Sequence, residues 1–205
     1  MAKLAVVRKA LAGYLTQPAV RVLVRTRVTP NIVSWLGFLL AAGAAALIAA
    51  GHLAVAGIVV LVAGFLDIID GALARQTNRV TRFGAVLDST LDRLSEGVLL
   101  LGILVLFLLT GEQPVIFSTL AGEWSVLIVF VTLLGSVLVS YIRARAETMG
   151  VDCQVGLFTR GERVIVLLLG LWLSQLVIAL AIIALLSFIT AGQRLVYVWQ
   201  QTRAK

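Results

Sequence analysis

LAVAGIVVLVAGFLDIIDGALARQTNRVTRFGAVLDSTLD, residues 53–92, is the stretch on which the fold turns. Residues 53–66 are wholly apolar or glycine, and the run then takes in Asp67 and Asp70 before it meets the basic residues Arg75, Arg79 and Arg82. A helix crossing the bilayer core needs roughly 20 mostly apolar residues, so 53–75 reads as a membrane span that carries two carboxylates near one end. A second apolar run starts at Phe83 and holds Asp88, Asp92 and Glu96 in its first half. Charge inside a span costs about 2.5–3.5 kcal/mol per residue at the helix centre on insertion scales, so five acids here point to a use.

The rest of the chain fits this setting. Of 205 residues 60% are hydrophobic and 13% charged, far from the balance of a soluble globular domain. Further apolar segments fall at about 31–50, 124–146, 161–174 and 176–196, and with 53–75 and 83–110 they give six spans. The fifth is short, and only Ser174 and Gln175 separate it from the sixth, so one long broken helix is the competing reading there. The expected fold class is an all-α integral membrane protein forming a single domain, with an interfacial segment over 1–28, a six-span bundle over 29–198 and a tail over 199–205. Leu4, Val7, Leu11 and Tyr14 recur at helical spacing, which suggests an amphipathic helix lying in the interface until Pro18 interrupts it.

All 17 Lys and Arg fall in four regions that six spans would place on one side: the N-terminal arm, the junction of spans two and three, the junction of four and five, and the C-terminal end. The opposite loops hold Gly51 and His52, residues 111–123 with Glu112 and Glu123, and the Ser174–Gln175 turn, without one Lys or Arg. The positive-inside rule then puts both termini and the acidic cluster on the cytoplasmic side of the cell membrane. A net charge of +7 without a soluble basic module argues for anionic lipids and substrates and against nucleic acid. One cysteine, Cys153, and one histidine, His52, build neither a disulfide nor a Cys/His metal site.

At 100° per residue Asp67, Asp70, Gly71 and Ala74 share one helical face, as do Gly84, Asp88 and Asp92 on the next helix. Two adjacent antiparallel helices would thus aim four carboxylates at each other. In a low-dielectric site these repel unless cations lie between them. Oxygen-only ligation selects hard cations, Mg²⁺ or Mn²⁺, and a pair of such ions suits phosphoryl transfer. The small residues Gly71, Ala74 and Gly84 leave room for a bulky ligand, and Arg75 offers a fork of donors to a phosphate. The plainer alternative is a structural ion network in which Asp88, Asp92 and Glu96 pair with Arg75, Arg79, Arg82 and Arg93.

As letters, residues 67–92 read D-x2-D-G-x2-A-R-x8-G-x3-D-x3-D, which fills every fixed position of the CDP-alcohol phosphotransferase signature. The chain resembles that family over most of its length, including six spans and Thr29-Pro30-Asn31 before the first. The resemblance implies metal ligation by Asp67, Asp70 and Asp88, with Asp92 completing the site or acting as catalytic base. It further implies a CDP group received by Asn31, Gly71, Ala74, Arg75 and Gly84 beside Asp67, Asp70 and Asp88. Such enzymes move the lipid phosphate of CDP-diacylglycerol, or an ether analogue, to an alcohol, release CMP, and usually work as homodimers.

A second cluster lies in Ser140-Tyr-Ile-Arg-Ala-Arg-Ala-Glu147 and Arg160-Gly-Glu-Arg163. Arg163 near a helix N-terminus opposes the macrodipole, which is unfavourable unless an anion offsets it. For Arg145 and Arg160 a simpler role, meeting phospholipid head groups, is plausible. Several arginines beside the carboxylates suit an acceptor that itself bears a phosphate. These segments with Gln193-Arg194 resemble the prokaryotic phosphatidylinositol-phosphate synthases and their archaeal ether-lipid counterparts, which implies inositol phosphate as acceptor, held by Arg143, Arg163 and Arg194. Glycerol 3-phosphate satisfies the same charge argument. A cation transporter is the rival from another class, and it predicts polar residues right across the bilayer, whereas the outer halves of these spans are almost wholly aliphatic.

Overall fold

The computed structural model describes residues 28–77, 80–110 and 121–203, with the backbone alone at 121–123, together with Gln17, Pro18, Val20, Arg21 and Val24. Among the continuously described residues six helices follow in order: α1 Pro30–Ala49, α2 Leu53–Gln76, α3 Arg82–Thr110, α4 Ala121–Thr148, α5 Arg160–Trp172 and α6 Leu176–Arg203. Among the described residues five are long and apolar enough to cross a membrane, and α5 is not. With 13 residues α5 is about 20 Å long, short of the ~30 Å hydrocarbon core. The expected fifth span is therefore shorter than the others, yet it runs from Arg160 beside Asp67 to Trp172 over Gly57, near the opposite end of α2, and α6 continues through Arg203, beyond the anticipated end at 196.

The helix ends follow from local chemistry. α1 closes with the Gly51 N–H on the Ile48 carbonyl (2.9 Å) and the His52 N–H on the Leu47 carbonyl (2.9 Å), and Gly51 takes the left-handed φ of 81° that this closure demands. Gly150, at φ 73°, ends α4 the same way, with the Val151 N–H on the Ala146 carbonyl. The third such closure falls at the expected Ser174–Gln175 turn but without a glycine: Ser174 adopts φ 54°, and the Gln175 N–H reaches the Gly170 carbonyl at 2.8 Å. This turn separates α5 from α6 and folds them into a hairpin, which settles the choice against one broken helix.

Packing holds α1 against α2 and α3, α4 against α3 and α6, and α5 against α2 and α6. Without a hydrophobic driving force between helices in lipid, close backbone approach and hydrogen bonds decide such contacts. Gly102 of α3 lies so near α1 that a Cβ there would strike the Ala45 carbonyl oxygen. The indole of Trp172 lies over Gly57, seating the end of α5 on α2. The Thr132 hydroxyl, 2.7 Å from the Ile128 carbonyl and 3.1 Å from that of Leu180, ties α4 to α6. Leu39, Ile58, Leu108 and Leu185 face outward, as lipid-facing positions should.

Pro18, expected to interrupt the first segment, itself lies in helical backbone, and Val20 beyond it is fully buried against Val33, Ile69 and Leu73. The apolar positions Leu4, Val7, Leu11 and Tyr14 lie outside the described residues, as do Arg79 and the loop containing Glu112.

Candidate metal and phosphate site

Helices α2 and α3 do bring their acids together. Asp67, Asp70 and Asp88 each present a carboxylate oxygen within 4.8 Å of the other two. Unit charges at that separation repel by about 3 kcal/mol per pair at an effective dielectric of about 20. Three pairs amount to more than a typical fold can set aside, so the group calls for a cation; its hard oxygen donors fit a divalent ion such as Mg²⁺ or Mn²⁺. Asp70, 4% exposed, has a partner absent from the sequence reading: the Ser34 hydroxyl of α1 donates to its Oδ2 at 2.6 Å while also lying 3.2 Å from the Pro30 carbonyl.

Asp92 lies one turn beyond Asp88 and outside that three-membered group. Its Oδ1 is 2.5 Å from Nη1 of Arg160, and its Oδ2 is 3.5 Å from Nη2 of Arg93. The same Arg160 Nη1 is 2.7 Å from both oxygens of Asp67. Arg160, for which a lipid head-group role stood open, thus belongs to the carboxylate cluster. The reason is local. Thr159 caps α5, its hydroxyl and backbone N–H (2.7 Å) both meeting the Glu162 carboxylate, and this fixes the first turn. Arg160 and Arg163, three residues apart, then share the face turned toward α2 and α3.

Arg163 is 3% exposed, and Glu96 of α3 grips it at two points, Nε to Oε1 at 2.7 Å and Nη2 to Oε2 at 3.1 Å. Glu96, which matches no fixed signature position, is thereby an ion-pair partner. The third guanidinium nitrogen, Nη1, is buried and has no hydrogen-bond partner among the described residues. Arg194 is buried too, donating from Nε to the Val155 carbonyl (2.9 Å) and from Nη1 to the Val139 carbonyl (2.5 Å), so part of its fork pins the loop before α5. Gln193 accepts the Leu157 N–H, and Thr190 accepts that of Phe158, completing this attachment. The positive charges of Arg143, Arg163 and Arg93 all bear on Arg194. Arg143 is exposed and pairs with Glu147 one turn on, at 2.8 Å, a contact of small energetic weight.

Of the positions expected to receive a nucleotide, Gly84 and Asn31 lie together: a Cβ on Gly84 would stand 3.5 Å from Asn31 Oδ1 and 2.9 Å from Thr81 Oγ1. Arg75 folds back over Gly71, its Nη1 3.4 Å from where a Cβ would be. Ala74 is half-buried one turn on from Asp70. From the carboxylates a cleft runs inward between α1, α2, α3 and α5, and its walls change from Asp67, Asp70, Asp88 and Asp92 to Phe38, Ala41, Val60 and Leu99. A charged mouth with an apolar interior suits an amphiphile whose phosphates stay with the acids. Outside the spans, burial lifts the Cys153 thiol above its usual range, which leaves it unreactive.

The family model described as CDP-alcohol phosphatidyltransferase matches residues 27–199. The chain belongs to this family. It is accordingly a multi-pass membrane enzyme of the class that transfers a phosphatidyl group. Among its relatives, the archaetidylinositol phosphate synthase of Methanothermobacter thermautotrophicus is 36% identical over 185 residues, 87% of either chain. The phosphatidylinositol phosphate synthase of Mycobacterium tuberculosis is 36% identical over 211 residues, 97% of this chain and 92% of the relative. Crystal structures of the M. tuberculosis synthase match at 34% identity. The complex with manganese and citrate has a TM-score of 0.78, covering 90% of this chain and 88% of that one. The form with CDP-DAG bound has a TM-score of 0.77, covering 91% and 94%.

Proposed function

We propose that this enzyme transfers the phosphatidyl group of CDP-diacylglycerol, or of an ether-linked analogue, to inositol phosphate, giving phosphatidylinositol phosphate and CMP. The observation that carries the choice of acceptor is Arg163. A buried guanidinium, fixed by Glu96 and left with one unpartnered nitrogen, stands one turn from an arginine lodged among the carboxylates. A phosphomonoester satisfies that nitrogen and places the acceptor beside the acids; an uncharged acceptor has no use for it. Relatives named for inositol phosphate products along nearly the whole chain support the same reading.

Asp67, Asp70 and Asp88 hold the metal, which when bound neutralises charge on the pyrophosphate and its departing CMP. Asn31, Gly71, Ala74, Arg75 and Gly84 line the nucleotide's approach, and the apolar cleft takes the lipid. Asp92, steadied by Arg160 and Arg93, accepts the proton of the acceptor hydroxyl, whose oxygen attacks the lipid-bearing phosphorus as its bond to the CMP oxygen breaks. Arg163 and Arg194 orient the acceptor phosphate, with Arg143 at the exposed rim. The active site and both termini face the cytoplasm at the cell membrane, and two copies form the working unit.

Purified protein supplied with CDP-diacylglycerol and Mn²⁺ should release CMP faster with inositol phosphate than with glycerol 3-phosphate, serine or free inositol. Faster release with glycerol 3-phosphate would transfer the arginine site to the other phosphorylated acceptor, and with free inositol it would remove the role given to Arg163.

A further inference from the structure

Arg160 gathers three carboxylate oxygens on a single nitrogen. Its Nη1 has two N–H groups to donate, yet three carboxylate oxygens stand at 2.5–2.7 Å from it, two from Asp67 and one from Asp92. Oxygens gather in that fashion around a point of positive charge. The nitrogen thus takes up on the Asp67 carboxylate the place of a cation, and Asp67 is one of the three acids grouped to hold a metal ion. A metal ion drawing on that carboxylate would share it with a guanidinium nitrogen 2.7 Å from both oxygens, and the repulsion between the two cations makes them competitors.

We propose that Arg160 is a tethered cation that neutralises Asp67 until a divalent ion is bound, and that metal loading drives its guanidinium off Asp67 while Asp92 retains it. The inference rests on the assignment of the metal to Asp67, Asp70 and Asp88. It gives Arg160 a positioning role. While paired, it holds α5 to α2 and α3 and offsets the repulsion within the cluster. Once off Asp67, it keeps Asp92, whose Oδ1 lies 2.5 Å from the same nitrogen. The Thr159–Glu162 cap makes this possible by fixing the first turn of α5, so that the exchange falls on the side chain and leaves the backbone in place.

The sign of the metal affinity decides the matter. A residue that merely buttressed Asp67 from behind would, on removal, weaken metal binding; a competitor would, on removal, strengthen it. Mn²⁺ binding to detergent-solubilised protein, followed by electron paramagnetic resonance, should show Arg160→Gln tightening the dissociation constant by roughly ten-fold, about the weight of one charge-assisted hydrogen bond, while Arg160→Lys stays near the parent value. Weaker or unchanged binding by Arg160→Gln overturns the proposal. The unmutated enzyme supplies a second readout if that variant folds poorly: phenylglyoxal labelling of Arg160, read by peptide mass spectrometry, should rise when Mn²⁺ is added, and a fall or no change overturns the proposal equally. Failure of the unmutated enzyme to bind Mn²⁺ at all would strike the metal assignment itself, a different result from binding without competition.

Discussion

The pairing of Arg163 with Glu96 and its proposed hold on the acceptor phosphate can be pulled apart by one pair of substitutions. It is 3% exposed and bound at two points by Glu96, whose side chain is 18% exposed. Arg163→Ala leaves the Glu96 carboxylate largely out of water without its two-point partner, and breaking a buried pair in this way costs about 3–5 kcal/mol. For a chain of this size that corresponds to a fall in melting temperature of roughly 10 °C. If Arg163 holds the acceptor phosphate as proposed, Arg163→Ala should also raise the Michaelis constant for inositol phosphate by about ten-fold or more. In the double variant Arg163→Ala/Glu96→Gln no charge is stranded, so most of the lost stability should return while the Michaelis constant stays high. Thermal scans and CMP release on the single and double variants separate the two effects. Recovery of stability and of acceptor affinity together would refute the reasoning, because Arg163 would then act only through the packing of α5 on α3.

Asp67→Asn, Asp70→Asn and Asp88→Asn should each abolish metal-dependent CMP release, whereas Asp92→Asn should abolish it while retaining CDP-diacylglycerol binding by calorimetry. Gly84→Leu should block binding of the CDP-lipid, since its side chain would enter the space beside Asn31 and Thr81; unchanged affinity would place the nucleotide elsewhere. Gly102→Ala should lower thermal stability by about 1–3 kcal/mol, because a Cβ there meets the backbone of α1 and only helix separation relieves it; a variant as stable as its parent would contradict the packing of α1 on α3.

How much of this was legible in the sequence varies with the range of the interactions. Asp67, Asp70 and Asp88 announce themselves because charge in a span is costly and helical spacing puts each set on one face; the fold then only has to bring α2 and α3 together. The lengths of the long spans follow equally from apolar runs. Arg160 and Ser34 gave no such signal. Their partners lie 93 and 36 residues away, and a lone arginine at a membrane edge looks the same whether it meets a lipid phosphate or a carboxylate. The Glu96–Arg163 pair spans 67 residues and joins two positions that had stood as separate questions. Arg194 was readable as a basic residue near the others, but its service to the Val155 and Val139 carbonyls depends on a loop path that no periodicity encodes. The shortness of α5 and the turn at Ser174–Gln175 were both visible; the left-handed closure itself was not, since Ser174 stands where glycine would have marked it.

The central claim is that acids on α2 and α3 hold a divalent ion that drives transfer of a phosphatidyl group to a phosphorylated polyol. It is tested most directly by stripping the purified enzyme with a chelator, supplying CDP-diacylglycerol and inositol phosphate, and following CMP and lipid product as Mn²⁺ or Mg²⁺ is restored. The account predicts no turnover before the metal is added, and afterwards one CMP for each phosphatidylinositol phosphate formed. Equal amounts of that product with and without the metal, or CMP release with no such lipid, would contradict it.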